Sequence, residues 1–289
     1  MLIYSCITNG YDEISDDHYY DPDVQYVMFT DGSVEHKGPW EFRPIPMENE
    51  CPRKLSAYVK TSPHKVFPMG TETVWIDGCY KMTEKFVEQS KKYLSENDFT
   101  VMRHPCVTED GMTYLDECLE GFVCSMSTWD EVIDITTRLK ETKKYSFRQY
   151  SAPVLGAIWR RLTPDYPDFG DLWWEWSLIG PNRDQVSFDY ARQKTGMELN
   201  IFEKGWTSKK RDENYNRLPG EAGLLLGYEG KVSRKKLHPK AGHSDQWRER
   251  DAILKELAPM TGLNPKLYAR YDHMKFVGMN VINPYLPES

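Results

Sequence analysis

Apolar residues along the first two thirds of the chain fall in short runs that alternate with amphipathic stretches. "LIYSCIT" (2–8), "VQYVMFT" (24–30) and "TVWI" (73–76) are rich in β-branched and aromatic residues and read as buried strands. Each stops at a turn dipeptide, Asn9-Gly10, Asp31-Gly32 or Asp77-Gly78. A sheet that presents loops along one edge to a ligand would repeat itself in this way.

Between the second and third strands, Leu55, Tyr58 and Val59 share a helical face before Pro63 stops the helix, which gives a strand, helix, strand order. Phe86, Val87, Ser90 and Leu94 mark an amphipathic helix over 84–94, and "FTVMRHP" (99–105) reads as a strand. Thr128 and Glu131 make a capping box at the head of a helix in 127–143. A strand over 152–162 follows, then helices over 171–179 and 183–196, the second ended by Gly196, and a strand over 197–203. From about residue 204 the chain turns polar, basic and glycine-containing, with one helix over 244–258 capped by Ser244. The pattern predicts an α/β domain over 1–203 and a basic, partly helical extension over 204–289 that packs on it.

Composition narrows the picture only in places. At 289 residues the chain can form one large domain or two small ones, and 13% aromatic residues with nine Trp can fill a core or line a cleft. The six cysteines (6, 51, 79, 106, 118, 124) lie in the first half without a CxxC pair, as free thiols of a reducing cytoplasm do. No apolar run nears the ~20 residues of a membrane span, and the N-terminus lacks the basic segment and apolar stretch of a signal peptide. The expected location is therefore cytoplasmic, in a bacterium or a phage-infected host cell. A formal net charge of −7 argues against a generally basic nucleic-acid coat, although 204–217 and 231–240 are locally basic. Such runs are more often solvated loops than binding surfaces.

Phosphate-binding glycine fingerprints, a GxSxG elbow and an HExxH helix are all absent. What remains is carboxylates at strand ends. Asp77 reads equally as a turn residue or as an oxygen ligand for a divalent cation on a diphosphate. Asp31 reads as a turn residue or a base or ribose contact, and Thr8, Asn9, Gly10 and Tyr11 as a tight turn or a place where a nucleotide approaches the backbone. In "WWEWSLIGPNRDQ", Trp173, Trp174 and Trp176 lie near Glu175, Arg183, Asp184 and Gln185, a mixture that suits a sugar but also an ordinary core. His104, with Arg103 at a strand end and Glu117 on the next helix, is a lone histidine of the kind that is usually structural.

Taken in order, "YSCITNGYDEI", "YVMFTD", "PRKLSAYVKTSPHKVFP", "TVWIDG", "RHP" with "YLDEC", and "WWEW" with "RDQVSFDYA" resemble a family of glycosyltransferases. Its plant members include mucilage-related hexosyltransferases, its bacterial members sit in capsule or surface-glycan contexts, and it has phage relatives. The resemblance covers residues 1–203. It implies a GT-A-like, Rossmann-type nucleotide-sugar domain with a mixed central sheet, a nucleotide-sugar donor and a divalent cation, Mn²⁺ or Mg²⁺. By position it implies Asp77 as metal ligand, Asp31 near the nucleoside, and Arg53, Lys60 and His64 facing the diphosphate. Arg183, Asp184 and Gln185 would lie near the donor sugar or the acceptor, with Asp184 or Glu175 as base if the anomeric configuration inverts. Trp173, Trp174 and His104 are the candidate acceptor contacts.

"WIDGC" has one Asp where a full DxD has two, so a metal site would draw a late ligand such as His238, His243 or His273. The acceptor is either a glycan or glycolipid, or a hydroxymethylated pyrimidine in phage DNA. The rival classes are a metal-dependent hydrolase and an inactive carbohydrate-binding protein.

Overall fold

The computed structural model describes residues 1–48, 50–102, 113–115, 117–118, 127–150, 153–179, 184–202, 207–211, 217–219, 225–227, 252 and 255–263. Of residues 202, 207–211, 217–219 and 225–227 it describes the backbone alone.

Strands β1 (Leu2–Ile7), β2 (Gln25–Thr30) and β4 (Glu72–Ile76) form where the apolar runs predict them. All of β1 is buried, as in a strand covered on both faces. An unexpected β3 (Glu41–Pro44) joins at the edge; "EFRP" is short and half-exposed, so it carries no apolar run to betray it. Helix α1 (Pro52–Thr61) opens with Pro in its first turn, where the missing N–H costs nothing. Then come β5 (Tyr80–Met82), α2 (Glu84–Glu96), β6 (Phe99–Met102), α3 (Trp129–Glu141), β7 (Val154–Arg161), α4 (Tyr166–Ile179), α5 (Asp184–Thr195) and β8 (Asn200–Phe202). Both halves of the Thr128–Glu131 capping box are made, and Gly196, at φ 74°, closes α5.

The seven strands lie in the order β3-β2-β1-β4-β7-β6-β8. β3, β2, β1 and β4 are parallel, β7 runs antiparallel to β4 and β6, and β8 is parallel to β6, so the sheet is mixed. β2 lies to one side of β1 and β4 to the other. The crevice beyond the carboxyl ends of β1 and β4 is thus a topological switch point, the usual place for a ligand in an open α/β sheet.

Strand alternation sorts the side chains into two cores. Ile3, Val74 and Ile76 pack with Phe86, Val87 and Leu94 of α2. Tyr4, Trp75, Val101 and Ile158 pack with Phe169 and Trp173 of α4 and Phe188 of α5. A third cluster joins α3 to Trp176, Val186 and Tyr190, and includes Leu257 from the helical residues 255–261 of the extension. The rest of the helix expected over 244–258 lies outside the described residues, apart from 252. The extension also supplies β9 (Thr207–Arg211), paired with β10 (Arg217–Pro219), and β11 (Leu225–Gly227), paired with β5.

One buried cation pins α1 to this sheet. Arg160 of β7 is fully buried; its Nη1 donates to Tyr166 Oη at 2.6 Å, and its Nη2 to the Lys60 carbonyl at 2.7 Å and to the Tyr4 hydroxyl. Tyr166 in turn donates to the Thr61 carbonyl at 3.2 Å. The last carbonyls of α1, which have no intrahelical partner, are satisfied in this way. Burial raises the Tyr4 pKa to about 12 despite the opposing pull of Arg160, so the phenol stays protonated.

His18 fixes the loop before β2 to β5, its Nδ1 accepting from the Met82 amide at 3.1 Å. Burial lowers its pKa from 6.5 to about 4, with Lys81 pushing the same way and Asp17 against. Because the folded value lies below the unfolded one, the unfolded chain takes up the proton first as pH falls. This stability is fully present above pH 6.5 and is lost progressively toward pH 4. The unfolding free energy measured in urea should therefore decline over that window, by less than ~1.4 kcal/mol per pH unit from this group, and His18→Asn should reduce the slope.

Candidate active site at the carboxyl edge of the sheet

The chain leaves β1 through a tight turn in which the Tyr11 amide donates to the Thr8 carbonyl at 3.1 Å, with Asn9 and Gly10 at φ 55° and 57°. Two consecutive left-handed residues are why Asn-Gly stands here. The turn is held from two sides. Thr8 Oγ1 donates to the Pro52 carbonyl at 2.9 Å, tying it to the start of α1. Asp31 Oδ2 accepts from the Asn9 amide at 2.7 Å, and Ser33 Oγ accepts from the Gly10 amide at 2.7 Å. Asp31 Oδ1 also takes the Ser33 amide at 3.1 Å and the Ser33 hydroxyl at 2.5 Å. Partial burial pushes the Asp31 pKa up, but these bonds from Ser33 and Asn9 outweigh it and hold the carboxyl below its usual range. Asp31 thus staples the ends of β1 and β2 together.

Asp77 follows β4 directly, and its amide donates to the Gly156 carbonyl of β7 at 2.8 Å. The indole N–H of Trp75 donates to Asp77 Oδ1 at 2.7 Å. Lys60, on the last turn of α1, reaches the same oxygen at 3.3 Å and Asp184 Oδ2 at 2.5 Å, with its ammonium 5.7 Å from the centre of the Trp75 ring. Burial opposes the charge on Lys60, but Asp184 and Asp77 overcome it and raise its pKa. Gly78 is required by crowding: a Cβ there would lie 2.9 Å from Ile7 Cγ1 and 3.2 Å from Asp12 Oδ2. Gly156 likewise makes room for the ring of Tyr80, 2.6 Å from where its Cβ would be.

The structure brings together Thr8, Asn9, Gly10, Tyr11 and Asp31 on one side of the switch point, and Asp77, Lys60 and Asp184 on the other. Arg53 is half-buried in the first turn of α1, and Gln185 follows Asp184 with its Oε1 buried and, among the described residues, without a partner. His64 lies elsewhere on the α1 side, its Nε2 2.8 Å from Asp171 of α4, which also pairs with Lys65. Trp173 is wholly buried and donates to the Asp184 carbonyl at 3.0 Å, so it supports that residue from the core. Trp174 is half-buried and meets Tyr58 edge to face at 5.2 Å, and Glu175 is exposed on α4. Arg183, His104, His238, His243 and His273 lie outside the described residues. The sequence reading passed over Asp12, because a carboxylate in "NGYDE" reads only as loop; its position against Gly78 depends on a contact between β1 and β4 that no local pattern encodes.

No family model matches the chain, and no match was found among curated proteins. Among solved structures it is similar to mouse xyloside xylosyltransferase 1, at TM-score 0.41 and 9% identity over 70% of this chain and 84% of that one. It is similar to the WbbM bifunctional glycosyltransferase, at 0.43 and 11% over 93% of this chain and 51% of that one. It is also similar to the galactosyltransferase LgtC, at 0.42 and 9% over 86% of this chain and the whole of that one. The likeness is one of general arrangement, and the functional reading rests on the site.

Among the described residues no group of three or more His, Cys, Asp and Glu side chains could hold a metal ion. Asp77, at the end of β4, has a side chain 37% exposed, and its Oδ1 is already engaged by Trp75 and Lys60. That fits a hard cation held mainly by the oxygens of a bound diphosphate, since such ions need only one or two protein carboxylates. No described helix is long and apolar enough to cross a membrane.

Loss of the Asp31 staple should be felt in stability. Asp31→Ala is expected to cost about 1–2 kcal/mol in urea unfolding, and Asp31→Asn less.

Proposed function

We propose that the chain is a glycosyltransferase that binds a nucleotide sugar at the switch point between β1 and β4. The observation that carries this is the placement of Asp77 at the carboxyl end of β4, one strand over from the Thr8–Tyr11 turn that ends β1. Nucleotides bind in such crevices, and acids there suit a ligand whose charge is met through a cation. The ordered motif series of residues 1–203 supports the same reading.

In this reading the Asn9-Gly10 turn and Asp31 form the nucleoside side of the site, with Arg53 toward the diphosphate. Asp77 would hold a divalent ion, which supplies charge compensation for the departing nucleoside diphosphate. Asp184 and Gln185 would meet the sugar.

For the acceptor, a glycan or glycolipid hydroxyl agrees with the net charge of −7. A hydroxymethylated pyrimidine in DNA is favoured by a different observation. β11 pairs with β5, which begins at Tyr80 just beyond Asp77, so the extension that carries the basic runs is joined to the site's own edge. Such an enzyme would have to expose the base, by flipping it or by acting on a single strand.

Incubation with a panel of nucleotide sugars, with and without Mn²⁺, should give donor cleavage by the wild type. Asp77→Ala should lower it by more than roughly 100-fold, beyond the loss typical of groups that only support a ligand. Failure of every donor to bind or be cleaved would remove the transferase reading. With an active donor, nucleoside mass spectrometry of DNA containing hydroxymethylcytosine or hydroxymethyluracil should show added mass if DNA is the acceptor; unchanged nucleosides leave the glycan.

A further inference from the structure

The expectation for Lys60 puts its charge on the diphosphate. The structure gives that charge three protein partners: Asp184, Asp77 and the face of Trp75. Only 9% of the Lys60 side chain is exposed, against 37% for Asp77 and 24% for Asp184, so an incoming ligand meets the acids rather than the ammonium. The backbone beneath it is fixed as well, through Arg160 on the Lys60 carbonyl and Tyr166 on that of Thr61. Lys60 belongs to α1, Asp77 to the end of β4 and Asp184 to the start of α5. The ammonium lies between the two carboxylates and offsets their like charge. It holds Asp184 Oδ2 at 2.5 Å, which fixes that carboxylate in place as a charge-assisted hydrogen-bond acceptor.

We propose that Lys60 is a positioning residue of the donor site: its ammonium sets the spacing of Asp77 and Asp184, and so commits Asp184 to the hydroxyls of the transferred sugar instead of to deprotonating the acceptor. The proposal rests on the donor reading above and assigns the carboxylate a role within it.

Calorimetric titration of the full chain with UDP-glucose, GDP-mannose and TDP-glucose, and with UDP, GDP and TDP, tests it. Lys60→Met should weaken the preferred sugar nucleotide by more than about tenfold while leaving its nucleoside diphosphate within about threefold, and Lys60→Arg should restore most of the loss because the charge remains. Equal loss of sugar nucleotide and nucleoside diphosphate would show that Lys60 binds the diphosphate directly, and would overturn the proposal; so would unchanged affinity for both.

Should Lys60→Met fail to fold, Asp184→Asn carries the test. It should lose sugar-nucleotide affinity and keep that for the nucleoside diphosphate. Full donor affinity with abolished transfer would instead make Asp184 the base. A wild type that binds none of the three donors would sink the donor reading itself, before any variant is compared.

Discussion

A lysine ammonium removed from water is the constraint around which this fold closes. Leaving such a charge unmatched costs several kcal/mol or more, and the match for Lys60 comes from residues on β4 and α5 that are far apart in sequence. α1, β4 and α5 must therefore dock together for the Lys60 ammonium to meet both carboxylates. Arg160 deepens the requirement. It too is wholly buried, and among the described residues it meets two phenols and a carbonyl rather than a carboxylate. Part of its compensation comes from the negative end of the α1 dipole, where the Lys60 and Thr61 carbonyls converge. The same short stretch of helix thus offers its backbone to one buried cation and bears the other.

The two sides of the switch point are stabilised by different means. The side formed by the Thr8–Tyr11 turn is built from backbone amides gathered by Asp31 and Ser33 around a turn whose two residues have positive φ. The turn itself follows from local chain chemistry, and the bonds that hold it come from the end of β2. The opposite side is built from long-range ion pairs and an indole hydrogen bond, and depends on the packing of α4 and α5 beneath it, with Trp173 holding the Asp184 carbonyl. The first half is thus tied to the start of α1 through Thr8, and the second to the end of α1 through Lys60.

What could be read from the sequence divides along the same line. The strands ending at Asn9-Gly10, Asp31-Gly32 and Asp77-Gly78 were legible because apolar runs and turn dipeptides are local signals. The capping box at Thr128 and the glycine stop at residue 196 were legible for the same reason. β3 was not, since an edge strand of four residues needs no apolar face, and neither was the pairing of β5 with β11, which joins residues more than a hundred positions apart. Lys60 and Asp184 were each singled out, but nothing in either neighbourhood encodes their contact. The aromatic run at 173–176 misleads in an instructive way: opposite faces of one turn of α4 send Trp173 to the core and Glu175 to solvent, so closeness in sequence becomes separation in space.

The reversed direction of β7 bears on where the remaining walls of the crevice are to be sought. In a wholly parallel sheet every loop at the ligand edge follows a strand. Because β7 runs the other way, it delivers to that edge the residues that precede it, and the Gly156 carbonyl that receives the Asp77 amide lies near its beginning. Variation upstream of Val154 will reshape the mouth of the crevice, while variation just after Arg161 will fall on the far rim of the sheet, where it can alter the scaffold and leave the ligand untouched.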